Sequence, residues 1–222
     1  MSTPPTPFTT ARIEGLYCSR EANSFSTASA DKLEIDEYGI VGDNRRYGPD
    51  TYSPFSQAGV RLPAFQVGRT IIARREISIM DVDSASQIAD GLGLPEKDYG
   101  ALGPERSTAV CRLLGANILL RMPDLGPSLY DIPNATDFGP ADASGHLGGA
   151  ALLITSYNNP CLRPFWSAVK ALPGIVDRHS QDKYMKKAQA NRGVVATPSA
   201  CGVLAVGQEV AFFPRPVSKI HR

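Results

Sequence analysis

Apolar and polar residues alternate along several short stretches of this chain, and each stretch predicts a strand. Ala11–Cys18 (Ala-Arg-Ile-Glu-Gly-Leu-Tyr-Cys) reads as a first strand, and Lys32–Asp36 (Lys-Leu-Glu-Ile-Asp) carries the two-residue period of a half-exposed strand, as does Arg75–Met80. Leu113–Leu120 and Gly148–Thr155 are nearly unbroken apolar runs, read as buried strands. Gly193–Thr197 and Val203–Phe213 return to strand character, the second broken by a Gly207-Gln208 turn. Helical periodicity is confined to three places. Asp83–Gly93 has Ser84 and Gln87 at capping-box spacing, with Gly91 or Gly93 as its stop. Pro164–Leu172 places proline in a first turn, and His179–Ala190 offers Ser180 as cap and Asp182 in its first turn. Many short strands with a few inserted helices, and no regular strand–helix alternation, predict a mainly β fold, a barrel or sandwich rather than a parallel α/β sheet.

The pattern also sets the domain organisation. Residues 1–10, rich in proline and threonine, are expected to be a flexible tail, residues 11–216 a single domain, and residues 217–222 a second tail. Two Pro/Gly-rich stretches, from Tyr47 to Val67 and from Pro123 to Ser144, read as irregular insertions. There is no internal repeat.

Composition narrows the function classes. At 222 residues and 42% hydrophobic content, the chain can bury a real core. With 20 glycines and 18 prolines it is rich in turns. A net charge of +1 gives no reason to expect nucleic acid or an anionic membrane as partner. The first ten residues have no basic and apolar segments of a signal peptide, and no apolar run has membrane-spanning length, so the expected location is the cytoplasm. Cys18, Cys111, Cys161 and Cys201 lie far apart, without zinc or dithiol spacing, and are expected to be reduced. Cys111 and Cys201, near apolar residues, read as packing residues.

Cys161 is different. It follows Pro160 at the end of the Gly148–Thr155 run and precedes Arg163 and Pro164. If Pro164 opens a helix, the thiol sits near the helix's N-terminal amides. Their partial positive charge, with Arg163, would favour a thiolate. A cysteine in that position can equally be a small filler at a turn, and the local residues leave both readings open. Gly42 would let a backbone approach a ligand closely, which makes Asp43 a second candidate; a turn-stabilising aspartate is the plainer reading. Arg45, Arg46, Lys183, Lys187 and Arg192 are the cations available to an anionic ligand, each equally readable as a surface charge. Phe165 and Trp166 are expected to pack their helix against the barrel. His146 stands at the start of the apolar run, a strand's length from Cys161 and out of reach as its base.

In order along the chain, Gly39-Ile-Val-Gly-Asp43, Arg75-Glu-Ile-Ser-Ile79, Leu114-Gly-Ala-Asn-Ile118, Leu153-Ile-Thr155 with Pro160-Cys161, and Arg192-Gly-Val-Val-Ala196 with Gly202–Val210 resemble the MOSC domain, the C-terminal domain of molybdenum cofactor sulfurases. The resemblance spans most of residues 11–213. It implies a closed β-barrel like the barrel domain of pyruvate kinase. It also implies that Cys161 is the family's reactive cysteine, carrying sulfur or, in reductase members, ligating molybdenum in the pterin cofactor. Asp43 and Gly42 match its Gly-Asp element as catalytic and cofactor-binding candidates. Arg45, Arg163, Lys183 and Arg192 are the cofactor-binding candidates. Where many members continue from Gly-Asp with arginine and histidine, this chain has Asn44, Arg45 and Arg46.

Three functions follow as expectations. The first is a sulfur carrier or transferase, loaded by a separate desulfurase. The pyridoxal phosphate chemistry known at the family level needs a further large domain, so this chain is not expected to hold that cofactor covalently. The second is a reductase of N-hydroxylated compounds, with molybdenum cofactor bound through Cys161 and electrons from a partner. The third is a non-catalytic barrel that binds a small ligand.

Overall fold

The computed structural model describes residues 6–20, 26–44, 77–142, 146–189 and 191–215. The chain runs β1 (Thr9–Cys18), β2 (Ala28–Ala30), β3 (Lys32–Asp36), β4 (Gly39–Ile40), β5 (Ile77–Asp81), α1 (Val82–Leu92), α2 (Arg106–Leu114), β6 (Ile118–Arg121) and β7 (Thr136–Gly139). It continues with β8 (Ala151–Tyr157), α3 (Leu162–Ala171), α4 (Gln181–Ala188), β9 (Val194–Ala200), β10 (Gly202–Ala205) and β11 (Glu209–Pro214).

Seven strands close on themselves in the order β1-β11-β7-β8-β9-β5-β6, with β6 returning to β1 and β2 appended to β1. All neighbours are antiparallel except β5 and β6, which run parallel. The fold is therefore mainly β with inserted helices, as the sequence pattern predicts, and of the barrel and sandwich it left open it is the closed barrel that the resemblance implies. A small sheet, β10-β3-β4, lies beside it.

Closure follows from the two pairings of β1, whose register shifts between Ile13 and Gly15 so that residues three apart share the inner face. Ile13 and Leu16 face inward, and the strand pairs with β11 over Thr9–Arg12 and with β6 over Arg12–Leu16. Ile79, Ile118, Phe138, Leu152, Ile154, Val194 and Phe212 fill the interior. Phe138 and Phe212 meet there with ring centroids 4.9 Å apart, a contact worth about 1 kcal/mol beyond its buried area. Strand residues of opposite parity, Met80 and Leu119 among them, form a second core with the four helices on the barrel's outside.

Several elements depart from their expected limits, each for a local reason. The cap of α1 is Asp81 rather than Ser84: its two carboxylate oxygens accept from the Ser84 amide and hydroxyl, both at 2.7 Å. Gly93 ends the helix in the left-handed conformation (φ 72°), as expected. The run Leu113–Leu120 is not one strand. Leu113 and Leu114 end α2, Gly115 turns the chain at φ 73°, and β6 starts only at Ile118. α3 starts two residues before Pro164, which still falls in its first turn. β7 emerges from the stretch read as an irregular insertion. The loop from Tyr47 to Val67, with Arg45 and Arg46 before it and the tail 217–222, lies outside the described residues.

Candidate functional site

Strand β8 carries the chain to the site. It pairs with β9 until Tyr157 lies opposite Val194, and the Asn158 amide extends the ladder to the Gly193 carbonyl at 2.9 Å. Asn159 and Pro160 then break the strand, and Cys161 becomes the N-cap of α3 with extended backbone (φ −142°, ψ 161°). Its side chain makes no capping bond, and the residue is exposed. Of the two sequence readings, accessible thiol and turn filler, the geometry fits the first: the thiol stands in solvent beside the positive end of a helix.

α4 fixes the backbone at this point. Tyr184, fully buried and packed on Phe165 at 5.3 Å between centroids, donates its hydroxyl to the Cys161 carbonyl at 3.3 Å. Burial raises the phenol's pKa, and the Arg192 guanidinium close to its hydroxyl opposes that rise. Arg192 stands two residues before β9. It is only 6% exposed, and its Nε and Nη1 are buried without a hydrogen-bond partner. Gly193 follows at φ 74°, where a Cβ would lie 1.9 Å from the Ile79 carbonyl oxygen, so this close crossing of β5 excludes any side chain.

A tyrosine pair forms the opposite wall. Tyr130 stacks on Tyr157 (5.3 Å, 17° between planes), and the Tyr157 hydroxyl donates to the Tyr130 carbonyl at 3.0 Å. The Tyr130 hydroxyl accepts from the Gly193 amide at 2.9 Å. Burial pushes the Tyr130 pKa up to about 12; the Gly193 amide opposes the rise and the Asp81 charge adds to it. Between this wall and α4 lies a cavity of about 840 Å³, lined by Tyr130, Tyr157, Asn159, Pro160, Met185, Lys186 and Gln189. Asn159 and Pro160, the two residues that precede Cys161, belong to its lining.

The other sequence candidates are distributed unevenly. Asp43 is buried, and its Oδ2 accepts from the Ser19 amide at 3.1 Å and from Asn117 Nδ2 at 3.2 Å. Asn117 is bonded in turn to Ser78 and Tyr17, so the carboxylate ties β1, β5 and β6 together. Gly42 makes the left-handed turn before it (φ 79°). This junction is at the start of β5, whereas the Arg192 cluster is at its end, about 10 Å along the strand. The structure does not bring Asp43 to Cys161. Arg163 is the second residue of α3 and exposed; Lys183 is exposed on α4. Lys187 runs against Gly91 of α1, and the lysine on the cavity is Lys186. Arg45 lies outside the described residues.

Among the other cysteines, Cys18 and Cys111 are buried, and burial raises the Cys111 thiol well above its ordinary range. Cys201, expected to pack among apolar neighbours, is exposed. Phe165 is buried as expected, but Trp166 is half exposed. Among the described residues, no group of three or more His, Cys, Asp and Glu side chains is arranged to hold a metal ion. No helix among them is long and apolar enough to cross a membrane.

Comparison with known proteins gives this geometry a family. The chain matches no family model. It is 31% identical over 201 residues, 90% of its own length and 89% of the other's, to YuaD of Bacillus subtilis (strain 168), a protein provisionally named for metal–sulfur cluster biosynthesis. The chain belongs to the YuaD family. The crystal structure of the YuaD protein superposes with a TM-score of 0.67 at 28% identity, covering 93% of this chain and 97% of YuaD. A solved structure described only as a hypothetical protein matches at a TM-score of 0.50 and 13% identity, over 96% of this chain and 71% of its own, a likeness of fold alone.

Proposed function

We propose that this YuaD-family protein is a sulfur carrier in metal–sulfur cluster metabolism, and that Cys161 is the carrying thiol. One observation carries the reading: the exposed Cys161 caps α3 beside a large cavity, with its own carbonyl held by Tyr184. The α3 start presents the positive end of its dipole at the cap. Tyr184 fixes the backbone from which the sulfur projects. The thiolate attacks the sulfane sulfur of a donor persulfide; the S–S bond of the donor breaks, and the donor thiolate leaves with its electron pair. The terminal sulfur, now on Cys161, faces the cavity, where an acceptor can collect it. The name of the relative YuaD supports the metal–sulfur context.

The test is to incubate the reduced chain with a cysteine desulfurase and cysteine, and to map persulfide by mass spectrometry. A single added sulfur on Cys161 is expected, lost in Cys161→Ser and kept in Cys201→Ser. Loading on Cys201 instead, or on neither, removes the proposal.

A second reading has its own support in the unpartnered nitrogens of Arg192. They suit the anionic groups of a molybdenum pterin, with Lys186 at the rim and Cys161 as metal ligand. The cofactor would supply the redox centre for reduction of N-hydroxylated substrates, with electrons from a partner. Molybdenum analysis of protein made in a molybdenum-competent host separates the two readings.

A further inference from the structure

Cys161 stands at one end of a basic, aromatic strip that the fold leaves uncovered. Arg163, Trp166 and Lys170 of α3 are all exposed and follow one another at i, i+3 and i+7. They therefore line one helix face, about 10 Å long, that starts two residues after the thiol. Trp166, the chain's only tryptophan, is 47% exposed. Its indole meets the buried Phe165 ring edge-on at 5.1 Å between centroids, so it stands ordered without being covered. Tyr157 is exposed to nearly the same degree on the other side of Cys161. The charge is equally uneven. Residues 162–189 hold six cations (Arg163, Lys170, Arg178, Lys183, Lys186 and Lys187) and two carboxylates, a net charge of +4 in a chain whose total is +1, which leaves −3 for all other residues. Of these cations all but Lys187 are exposed, and among the described residues none of the six forms an ion pair. Of the two carboxylates, that of Asp177 is engaged, accepting from the His179 amide at 2.9 Å.

We propose that this strip docks the protein that delivers sulfur to Cys161, through an acidic surface around that donor's own thiol. The inference rests on the carrier reading and names the surface its donor uses. Sulfur passes only when the donor's terminal sulfur touches the Cys161 thiolate. The S–S bond of the donor then breaks, a new one forms on Cys161, and the donor thiolate leaves with the electron pair. The donor's surface must therefore lie on the residues around Cys161, with Tyr157 on one side and the α3 strip on the other. Arginine and the large aromatics are the side chains that most often carry interface energy, and an unpaired cationic field speeds the encounter with an acidic partner. A membrane is a poorer fit. An interfacial helix needs an apolar face to insert, and that of α3, with Pro164, Phe165 and Ala168, is already buried in the protein. Nucleic acid would need a row of phosphate contacts, and the strip offers only Arg163 and Lys170.

The experiment uses the full, reduced chain in a Cys201→Ser background, which leaves Cys161 as the exposed thiol. Three persulfide donors are compared: two peptides of equal length, the persulfide cysteine flanked by aspartate and glutamate in one and by lysine in the other, and the neutral persulfide of N-acetylcysteine amide. At low salt the acidic peptide is expected to load Cys161 about tenfold faster than the basic one, and about 0.5 M salt is expected to erase the difference. Arg163→Glu combined with Lys170→Glu is expected to abolish the preference once each rate is divided by that of the neutral donor, which corrects for any change in the thiol itself. Should that variant fail to fold, the salt dependence of the unmutated strip decides. Independently of transfer, Trp166 emission in the Cys161→Ser chain is expected to move to shorter wavelength as the acidic peptide, with serine in place of its cysteine, is titrated in. Equal rates for the two peptides, a preference that survives the charge reversals or high salt, or an unmoved Trp166 overturns the docking assignment and leaves the carrier intact. A larger Trp166 shift with phosphatidylserine–phosphatidylcholine vesicles or with a short DNA duplex overturns the choice of a protein partner. If none of the three donors loads Cys161, the carrier reading falls and the donor assignment falls with it, whatever Trp166 reports.

Discussion

The hydroxyl of Tyr184, on α4, donates to the backbone carbonyl of Cys161, 23 residues earlier in the chain, at 3.3 Å. The bond couples Cys161, the proposed carrying thiol, to a helix that supplies no reacting group in that proposal. It also makes the Cys161 backbone depend on the packing of Tyr184 against Phe165.

Removing that hydroxyl tests the coupling. Tyr184→Phe keeps the ring and its packing, and is expected to cost about 1 kcal/mol in urea unfolding. In a Cys201→Ser background, which removes the other exposed thiol, alkylation of Cys161 by iodoacetamide is expected to follow one phase and to become multiphasic in Tyr184→Phe as the cap loosens. A purely packing role for Tyr184 would leave the alkylation trace unchanged.

Among the glycines of the described residues, Gly193 leaves the least room for a side chain. Gly193→Ala must place a Cβ against the Ile79 carbonyl while keeping φ at 74°. A loss of at least about 3 kcal/mol is expected, from strain and from the disturbed Tyr130 and Asn158 hydrogen bonds. Gly174→Ala, also at positive φ but with open space around it, is the control and is expected to lose far less.

Asp43 should behave as a strand tie. Asp43→Ala leaves the Ser19 amide and Asn117 Nδ2 without the oxygen they share, and is expected to cost about 2–3 kcal/mol. Sulfur loading of Cys161 per folded molecule is expected to be unaffected, since the two residues are at opposite ends of β5. A fall in loading with stability unchanged would overturn this assignment and restore a direct chemical role for the carboxylate.

Stability should fall on the alkaline side. Burial raises the pKa of Tyr17, Cys111 and Tyr184, and pushes that of Tyr130 up to about 12. Each group stays protonated in the fold at a pH where the unfolded chain would release the proton. The unfolded state therefore binds fewer protons, and stability declines as pH rises. The decline starts near the ordinary values of 9.0 for the thiol and 10.0 for the phenols and continues through about 12. Urea midpoints measured from pH 8 upward, with phenolate absorbance followed in parallel, check both onset and sign.

β3 was legible because its residues alternate, one face meeting the core and the other solvent; β1 alternates so only over Thr10–Ile13, and Gly15–Cys18 are buried on both faces. α2 was not legible. Its leucines run straight on toward β6, and only the left-handed turn at Gly115 separates helix from strand, a distinction that an apolar run does not encode. β7 is four residues, Thr-Asp-Phe-Gly, among prolines, and it becomes a strand through its neighbours β8 and β11. Within the site, Cys161 was legible because its signals are local: a strand end, a proline and a helix start. Arg192 was named among the cations, but its burial was not visible. That burial depends on Tyr130, Tyr184 and Asp81 converging from three distant segments. Tyr130, Tyr157 and Lys186 gave no sequence signal apart from position, Tyr157 at the strand's exit and Lys186 on a helix with Tyr184.

The pairing of β1 with β11 bears on how the molecule is made. Thr9 lies opposite Phe212 and Arg12 opposite Glu209, so β1 waits on the ribosome for a partner that lies about 200 residues further along the chain. Until β11 emerges, the inward face of β1, with Ile13 and Leu16, has only part of its cover, and an open edge is available to a neighbouring nascent chain. Such distant partners favour slow, late closure, so a crowded polysome is where this protein would be most exposed to aggregation.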